Sequence, residues 1–325
     1  MAYLLAADIG GTKTLMQLST AAGEVILAER YSSADYPDFE QMLSAFLTPI
    51  SDRRDITACF AVAGPVQADS ARVTNLPWQL NSLEIKARFD LKQVLLCNDF
   101  EAVGYGIESL SEDELLVLQA GDERLGPRAV IGAGTGLGQA YLIANDNGWQ
   151  VYPTEGGHSD FAPADRTQLR LFEHLLERFG HVSYERVVSG EGLITIYNFL
   201  RDYRQLEENP DCRVAMVNDD GAYAISVFAR DGDPLACEAM AMFFSIYGAQ
   251  AGNLALTVMP TAGLYIAGGI AAKNLELLEQ SNFLEAFNSK GRMQDLMQGI
   301  PVKLILQPEV GLNGARLLAA KAMYN

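Results

Sequence analysis

YLLAADIGGTKTLMQLSTAAGEVILAERY, residues Tyr3–Tyr31, runs as an apolar strand into a glycine turn, returns as a second strand and reaches a third strand after another Gly-containing turn. The same order recurs in AVIGAGTGLGQAYLIANDNGWQVYPTEG, Ala129–Gly156. The tight turns, Gly10-Gly11-Thr12 and Gly134-Thr135-Gly136, let backbone amides approach an anion with little side chain in the way. Two such turns, one from each half of the chain, predict that a polyphosphate is held between two domains.

The order of predicted elements defines the fold class. Strands alternate with helical stretches along the chain, which indicates an α/β protein. The strand–turn–strand–turn–strand opening of each half favours mixed sheets over purely parallel ones. A polar stretch rich in Glu and Asp spans Ser111–Pro127, and the domain boundary is therefore expected near Glu108 to Ser111. We predict a small N-terminal domain over 1–109, completed by the C-terminal helix at about 310–325, and a large domain over 110–309.

The composition limits the kinds of partner. The 325 residues carry a formal net charge of −17, which repels phosphate backbones, so a nucleic-acid partner is not expected. A phosphorylated ligand must then be bound by backbone amides, helix N-termini, Mg²⁺ and a few local cations. The four cysteines are scattered without a C-x-x-C pair, which indicates reduced thiols in a cytosol.

A targeting segment and a membrane span are not expected in this sequence either. The N-terminus MAYLLAADIGG has no basic leader, so a signal peptide is not expected. The most membrane-like stretch, Ala239–Met259, is interrupted by polar residues and is better interpreted as a buried central helix. Gly248 and Gly252, one turn apart, would let a neighbouring element pack closely on this helix.

Asp8 ends a buried strand directly before the first glycine turn. A carboxylate there can orient Mg²⁺ through water while the amides of Gly10, Gly11 and Thr12 face phosphate. The ordinary alternative is a Gly-rich hairpin turn without a ligand. The second turn lies in Gly132–Gly138, which does not match a dinucleotide fingerprint, because a strand-like alternation follows where that fingerprint requires a helix. The P-loop pattern G-x-x-x-x-G-K-[ST] is absent from the sequence.

Asn98-Asp99 follows the apolar stretch QVLLC, at the carboxyl end of a predicted strand. Ligands of α/β proteins meet the sheet at this end, and a carboxylate there can serve as the general base for an alcohol. The alternative is that Asp99 only caps the next helix, a frequent role for Asp.

Glu155, His158 and Glu185 form a second group of candidate residues. Two carboxylates and an imidazole without nearby cations can converge on a neutral polyhydroxylic ligand by accepting its hydroxyl protons. The alternative is a surface turn and a solvated helix. A metal site is poorly supported, because the chain has three histidines and no cysteine pair near His158.

Gly268-Gly269 follows the predicted strand Gly263–Ala267 and precedes a helix. Two glycines there let a flat ring such as adenine lie against the backbone. A plain turn between strand and helix is the alternative.

These motifs together resemble the sugar-kinase/actin/Hsp70 ATPase superfamily, and within it the bacterial-type ATP-dependent glucokinases, over nearly the whole chain. Single motifs are weak, but their order and spacing are highly specific. The matching stretches are ADIGGT (Ala7–Thr12), AVAGPV (Ala61–Val66), TNLPW (Thr74–Trp78), NDFEAVGYGI (Asn98–Ile107), GAGTGLG (Gly132–Gly138), EGGHSDFAP (Glu155–Pro163), HVSYERVVSG (His181–Gly190) and IAGGI (Ile266–Ile270).

The resemblance implies two duplicated ribonuclease-H-like domains of the actin type with mixed sheets and a cleft between them. It implies a cytoplasmic enzyme of glycolysis, expected to be a homodimer, that uses ATP and Mg²⁺ to phosphorylate the 6-hydroxyl of glucose. By position, the implied roles are a base (Asp99), sugar ligands (Asn75, Asn98, Glu155, His158, Glu185), phosphate turns (Gly10, Gly11, Thr12, Gly134, Thr135, Gly136) and an adenosine border (Gly268, Gly269).

Two departures from the family pattern concern Lys13 and zinc. Lys13 follows GGT where the group often has Asn, and it would add a cation near the phosphates. The related repressor/kinase group carries a zinc-binding cysteine cluster after its EGGH-like motif, and this sequence does not, so zinc is not expected.

Three alternatives stay open at this point. A kinase for fructose, N-acetylmannosamine or another hexose would keep every phosphate motif and differ around Asn75, Glu155 and Glu185. A sugar-responsive repressor would need a basic helix-turn-helix before Tyr3. A nucleotide switch would need no sugar pocket, and Asn98-Asp99 with the EGGH motif argues against it.

Overall fold

The computed structural model describes residues 2–146, 148–218 and 220–324. Its contacts divide the chain into two units. The first unit consists of Met1–Glu112, Asn145–Pro153 and Gln307–Asn325, and the second of Asp113–Ala144 and Thr154–Leu306. The terminal residues 1 and 325 of the domain ranges predicted above lie outside the described residues.

Strands and helices alternate along the chain. The strands are β1 (Tyr3–Ile9), β2 (Lys13–Thr20), β3 (Val25–Ser32), β4 (Ile56–Val62), β5 (Val66–Gln67), β6 (Ser70–Arg72), β7 (Gln79–Asn81), β8 (Gln93–Asn98), β9 (Leu115–Gln119), β10 (Arg128–Ala133), β11 (Leu137–Asn145), β12 (Gly148–Thr154), β13 (Leu264–Ala267) and β14 (Val302–Ile305).

The α-helices are α1 (Phe39–Phe46), α2 (Ser82–Phe89), α3 (Asp99–Gly106), α4 (Arg166–Phe179), α5 (Gly190–Arg204), α6 (Pro210–Asn218), α7 (Gly221–Arg230), α8 (Pro234–Val258), α9 (Gly269–Lys273), α10 (Leu275–Glu279), α11 (Phe283–Asn288), α12 (Gln294–Gln298) and α13 (Val310–Tyr324). Short 3₁₀ helices span Ser33–Asp35, Ile107–Ser109, Glu112–Glu114, Gly156–His158, Tyr184–Arg186 and Gly291–Met293.

The first unit contains a five-stranded sheet in the order β3-β2-β1-β4-β8. β1 is antiparallel to β2 and parallel to β4, and β4 is parallel to β8. Ile9 pairs with Val62 and Val62 with Asn98, so the three strands β1, β4 and β8 end in one row. This register places the first glycine turn and Asp99 at the same edge of the sheet.

Both faces of this sheet are covered, which explains why β1 is apolar along nearly its whole length. Side chains alternate between the faces, so Leu5, Ala7 and Ile9 pack with α1 while Leu4 and Ala6 pack with α3 and α13. By the same alternation Asp8 lies on the face covered by α13.

One segment of the first unit was assigned differently from sequence. The large domain predicted from sequence, 110–309, includes residues Asn145–Pro153, but the structure groups these residues with the first unit. The reason is a long-range contact, since Val151 packs on α3 where Gly104 has no side chain. A Cβ at Gly104 would lie 2.6 Å from Val151 Cγ1.

The second unit contains β11, β10, β13, β14 and β9 in a six-stranded sheet whose order is β12-β11-β10-β13-β14-β9. β10 is antiparallel to β11 and parallel to β13, β13 is parallel to β14, and β9 is antiparallel to β14. The predicted buried central helix is α8, most of whose residues are buried. The carbonyl of Phe283 lies where a side chain at Gly248 would be, so α11 packs closely on this helix as expected.

The predicted α/β class with mixed sheets is confirmed by these two sheets, each of which combines parallel and antiparallel pairs. Within the part of the chain that the structure describes, no helix is both long and apolar enough to cross a membrane.

Candidate active site

The first glycine turn joins β1 to β2 as a tight hairpin. The Gly10 amide donates a 3.0 Å hydrogen bond to the Lys13 carbonyl, which leaves Gly11 and Thr12 at the tip. Asn75 lies against this tip, because a Cβ at Gly11 would be only 3.0 Å from the Asn75 Cβ. The structure therefore brings a predicted phosphate turn and a predicted sugar ligand into contact.

Asp8 faces the N-terminal turn of α13. Its Oδ2 lies 3.3 Å from the position that a Cβ on Gly311 would occupy. Burial raises the pKa of this carboxyl above its usual value, and the positive charge of Lys13 opposes the rise. A carboxylate in this position is under-solvated, and a nearby cation would stabilise its ionised form.

Asn98, rather than Asp99, is the N-cap of α3. Its Oδ1 accepts hydrogen bonds from the backbone N–H groups of Phe100 (2.9 Å) and Glu101 (3.3 Å), and its Nδ2 donates to the Gly64 carbonyl at 3.3 Å. Asp99 is the first residue of the helix, and its Oδ1 accepts from the Phe100 amide at 3.0 Å. The capping role considered for Asp99 is therefore carried mainly by the residue before it.

The second glycine turn is part of a compact assembly in the second unit. The Gly134 amide donates to the Gly136 carbonyl at 2.9 Å, and the Gly190 amide at the start of α5 donates to the Gly134 carbonyl at 2.9 Å. Oε2 of Glu185 accepts a 2.9 Å hydrogen bond from the Leu137 amide. A Cβ at Gly136 would lie 2.5 Å from this Oε2, so glycine is required for the carboxylate to reach the turn.

Glu155, His158 and Glu185 lie together, although 30 residues separate the first from the last in sequence. His158 Nε2 is 3.8 Å from Glu155 Oε2, and His158 Nδ1 is 3.9 Å from Glu185 Oε1. The loop that carries Glu155 and His158 packs directly on β11, because a Cβ on Gly157 would overlap the Leu137 carbonyl. The three polar side chains and the second turn thus share one backbone support, Leu137.

Gly268 lies beside the end of β10, where the second turn begins. Its φ is +85°, and a Cβ would overlap the Ala133 carbonyl, so the position requires glycine for two reasons. The hydroxyl of buried Tyr247 accepts from the Ala133 amide at 3.2 Å and lies 3.3 Å from the Ala267 carbonyl. Gly268 and Gly269 are exposed, so their backbone is open to a ligand.

Sequence reasoning missed the contribution of Ser189 and Gly190. The Ser189 hydroxyl donates to the Glu185 carbonyl at 2.7 Å and accepts from the Gly192 amide at 3.0 Å, which caps α5. The available signal was a serine immediately before a helical stretch, a common helix start. Its connection to Glu185 and Gly134 depends on the tertiary fold.

Across residues 2–146, 148–218 and 220–324, no group of three or more His, Cys, Asp and Glu side chains is arranged to hold a metal ion.

Comparisons with known proteins agree on one family. The family model described as Glucokinase matches residues 5–322. A curated glucokinase of Trichormus variabilis is 44% identical over 341 aligned residues, covering 99% of this chain and 100% of that protein.

Solved structures show the same similarity. A glucokinase from an Antarctic psychrotroph has a TM-score of 0.80 at 30% identity, covering 100% of this chain and 99% of that one. A ROK family glucokinase from Streptomyces griseus, solved with glucose and AMPPNP, has a TM-score of 0.67 over 98% of this chain and 100% of its own. At 19% identity, this structural similarity supports a shared fold.

Proposed function

This chain belongs to the glucokinase family, and we propose that it transfers the γ-phosphoryl group of ATP to the 6-hydroxyl of D-glucose, giving glucose 6-phosphate and ADP. The observation that carries the proposal is the register of the first sheet. Because Ile9, Val62 and Asn98 lie in one row, the first glycine turn after β1 and Asp99 after β8 lie at the same end of the sheet, with β4 between the two strands. A phosphate-binding turn and a proton acceptor are the two parts that phosphoryl transfer to an alcohol requires.

Asp99 acts as the general base in this proposal. It accepts the proton of the 6-hydroxyl as the oxygen attacks the γ-phosphorus, while the bond from phosphorus to the leaving oxygen of ADP breaks. Asn98 caps α3 and thereby fixes the backbone from which Asp99 projects. A positioned base contributes typically about 10²–10⁴-fold to the rate.

The sugar is held by hydroxyl contacts to Glu155, His158 and Glu185, with Asn98 and Asn75 as further ligands. This part of the proposal is supported by His158, whose two ring nitrogens lie within 4 Å of carboxylate oxygens of Glu155 and Glu185. Carboxylates that accept hydroxyl protons discriminate strongly, because a sugar lacking the hydroxyl leaves a polar group unpaired.

The phosphates of ATP lie against the amides of Gly10, Gly11 and Thr12 and of Gly134, Thr135 and Gly136, and the adenosine borders Gly268 and Gly269. Lys13, which is exposed directly after the first turn, adds a positive charge near the phosphates. Fixed amides of this kind stabilise phosphate charge without reorganising during the reaction.

Asp8 fits a magnesium role. Mg²⁺ is bound by one or two carboxylates together with substrate phosphates and waters, and Asp8 is an under-solvated carboxylate beside a predicted phosphate turn. When bound through water at Asp8, the ion would offset phosphate charge. Activity titrated with Mg²⁺ tests this assignment, since an Asp8→Asn variant should need a higher concentration for half-maximal rate.

We also propose that the five-stranded and six-stranded sheets belong to two ribonuclease-H-like domains of the actin type that arose by duplication. The order β3-β2-β1-β4-β8 of the first sheet corresponds to β12-β11-β10-β13-β14 of the second. The pairs β1–β2 and β10–β11 are antiparallel, and the pairs β1–β4, β4–β8, β10–β13 and β13–β14 are parallel. A cytoplasmic homodimer is proposed from the family resemblance, and analytical ultracentrifugation measures the oligomeric state.

A coupled assay with ATP across a panel of hexoses and N-acetylated hexosamines tests the function. Glucose should have the highest kcat/KM. A preference of tenfold or more for another sugar would replace glucose as the substrate, whereas ATP hydrolysis unaffected by every sugar would remove the kinase assignment.

A further inference from the structure

Lys290 carries a half-buried ammonium group that the proposed chemistry does not use. Its Nζ donates 2.8 Å hydrogen bonds to the Ala249 carbonyl and to Asn253 Oδ1, two uncharged oxygens of α8. Burial lowers the pKa of this lysine. The lysine reaches α8 because Gly252 leaves room, since a Cβ there would lie 2.6 Å from Lys290 Cε.

This contact fixes the orientation of the Asn253 side chain. An ammonium group only donates hydrogen bonds, so the amide oxygen of Asn253 must face Lys290 and its Nδ2 must point elsewhere. Nδ2 donates to the Tyr184 hydroxyl at 2.8 Å and to Gln250 Oε1 at 3.1 Å. Lys290 thereby makes Asn253 a donor toward Tyr184.

Tyr184 begins the segment that carries Glu185, which lies with Glu155 and His158 in the group proposed to bind the sugar. Its buried ring packs edge-on against Phe161, with centroids 5.6 Å apart, and its carbonyl accepts from the amides of Val187 (3.0 Å) and Val188 (2.7 Å). Glu185 is the next residue, and it bonds to the Leu137 amide.

The far end of the same segment reaches the second turn, because the Gly190 amide donates to the Gly134 carbonyl at 2.9 Å. Tyr184–Gly190 therefore lies between α8 at one end and Gly134 at the other. It also carries the Glu185 carboxylate between those ends.

We propose that Lys290 and Asn253 are positioning residues that hold the segment Tyr184–Gly190 through Tyr184. The held segment fixes the position of Glu185 relative to the second phosphate turn. This inference rests on the proposed function and deepens it, because it assigns one support to both the sugar and the nucleotide. A purely structural role would instead predict lower stability with unchanged substrate affinities.

Three variants of the full-length protein test the proposal. Asn253→Ala removes the link, and Tyr184→Phe removes only the hydroxyl while keeping the ring. Asn288→Ala is the matched control, since it deletes a half-buried amide of α11 that bonds to Gln119 and Leu284 but keeps the Asn288 carbonyl that accepts from the Lys290 amide at 2.7 Å. For each we would measure hydrogen exchange at the amides of Val187, Val188 and Gly190, the KM values for glucose and ATP, kcat and Tm.

The expected result for Asn253→Ala is a clear rise in exchange at these amides and a roughly fivefold rise in both KM values, with kcat within about twofold. Tyr184→Phe should act in the same direction, and the double variant should be no worse than the more severe single one, because both changes break the same link. Asn288→Ala should lower Tm without changing either KM.

Unchanged exchange in Asn253→Ala would overturn the anchoring of the segment. Increased exchange with both KM values unchanged would overturn the positioning role, leaving a structural one. If the wild-type protein fails to phosphorylate glucose, the proposed function fails, and the positioning role fails with it, while the exchange data still report on the anchoring.

Discussion

The Glu185 carboxylate accepts a hydrogen bond from the Leu137 backbone N–H at 2.9 Å, across 48 positions of sequence. Leu137 directly follows the second glycine turn, and the other carboxylate oxygen of Glu185 lies 3.9 Å from His158. One side chain thus contacts both the turn proposed to hold phosphate and the cluster proposed to hold sugar. Glu155, whose side chain is 72% exposed, contacts His158 without this bond to the turn.

The two glutamates should therefore differ when replaced by alanine. Glu155→Ala should weaken glucose binding and leave ATP binding nearly unchanged. Glu185→Ala should weaken both, ATP by about fivefold or more, because the Leu137 amide loses its partner. Glu185→Gln keeps an oxygen for that amide and should restore ATP affinity. Calorimetric titration with glucose and with a non-hydrolysable ATP analogue measures these effects; equal loss of both ligands in Glu155→Ala would contradict the separation.

Asp99→Asn should reduce kcat by about 10²–10⁴-fold while glucose affinity changes little, because the amide keeps an oxygen for the Phe100 N–H but accepts no proton. Steady-state kinetics with a thermal melt on the same sample provide the measurement. A kcat within threefold of wild type, in a folded protein, would show that another group is the base.

Asn98→Ala should combine a stability loss with a catalytic one. Removing the cap of α3 costs about 0.5–2 kcal/mol of unfolding free energy and loosens the helix start that carries Asp99. Asp38→Ala is the matched control, because Asp38 caps α1 with a 2.8 Å bond to the Gln41 amide and has no proposed role in the site. Urea unfolding should show similar losses for both, and only Asn98→Ala should lower kcat/KM.

Gly134→Ala and Gly136→Ala distinguish a requirement for glycine in ligand binding from a requirement for glycine in stability. A Cβ at Gly134 would meet nothing within 4 Å, so this variant should keep its Tm, yet raise the KM for ATP about tenfold if phosphate lies against the turn. Gly136→Ala should also lose stability, because its Cβ would lie 2.5 Å from Glu185 Oε2. An unchanged KM for ATP in Gly134→Ala would remove the second turn from the nucleotide site.

Asp8→Asn should be more stable than wild type near neutral pH and less active. Because burial raises the folded-state pKa of Asp8, the folded protein binds the proton more tightly, and ionising this group above its ordinary pKa of 3.8 destabilises the fold. The stability gain of the variant should therefore be largest at pH 7 and shrink as pH falls toward that value. Urea unfolding at several pH values measures this stability gain. A gain that grows on acidification would contradict a raised pKa for Asp8.

The sequence by itself determined the α/β class with mixed sheets, the two glycine turns and the buried helix α8. These features depend on local chemistry: apolar alternation and glycine turns specify strands and hairpins, and a long apolar stretch specifies a buried helix wherever it packs. The grouping of Glu155, His158 and Glu185 was also anticipated, because acceptors without nearby cations favour a common polar ligand.

Only the tertiary structure decided which residues support those features. Asn98 rather than Asp99 is the N-cap of α3, and the Asn98 Nδ2 also donates to the Gly64 carbonyl, 34 positions away in sequence. Residues Asn145–Pro153 group with the first unit because Val151 packs where Gly104 has no side chain. The bond from Leu137 to Glu185 depends likewise on how β11 and the Tyr184–Arg186 turn pack. Contacts between distant positions follow from register and packing, which local sequence patterns do not encode.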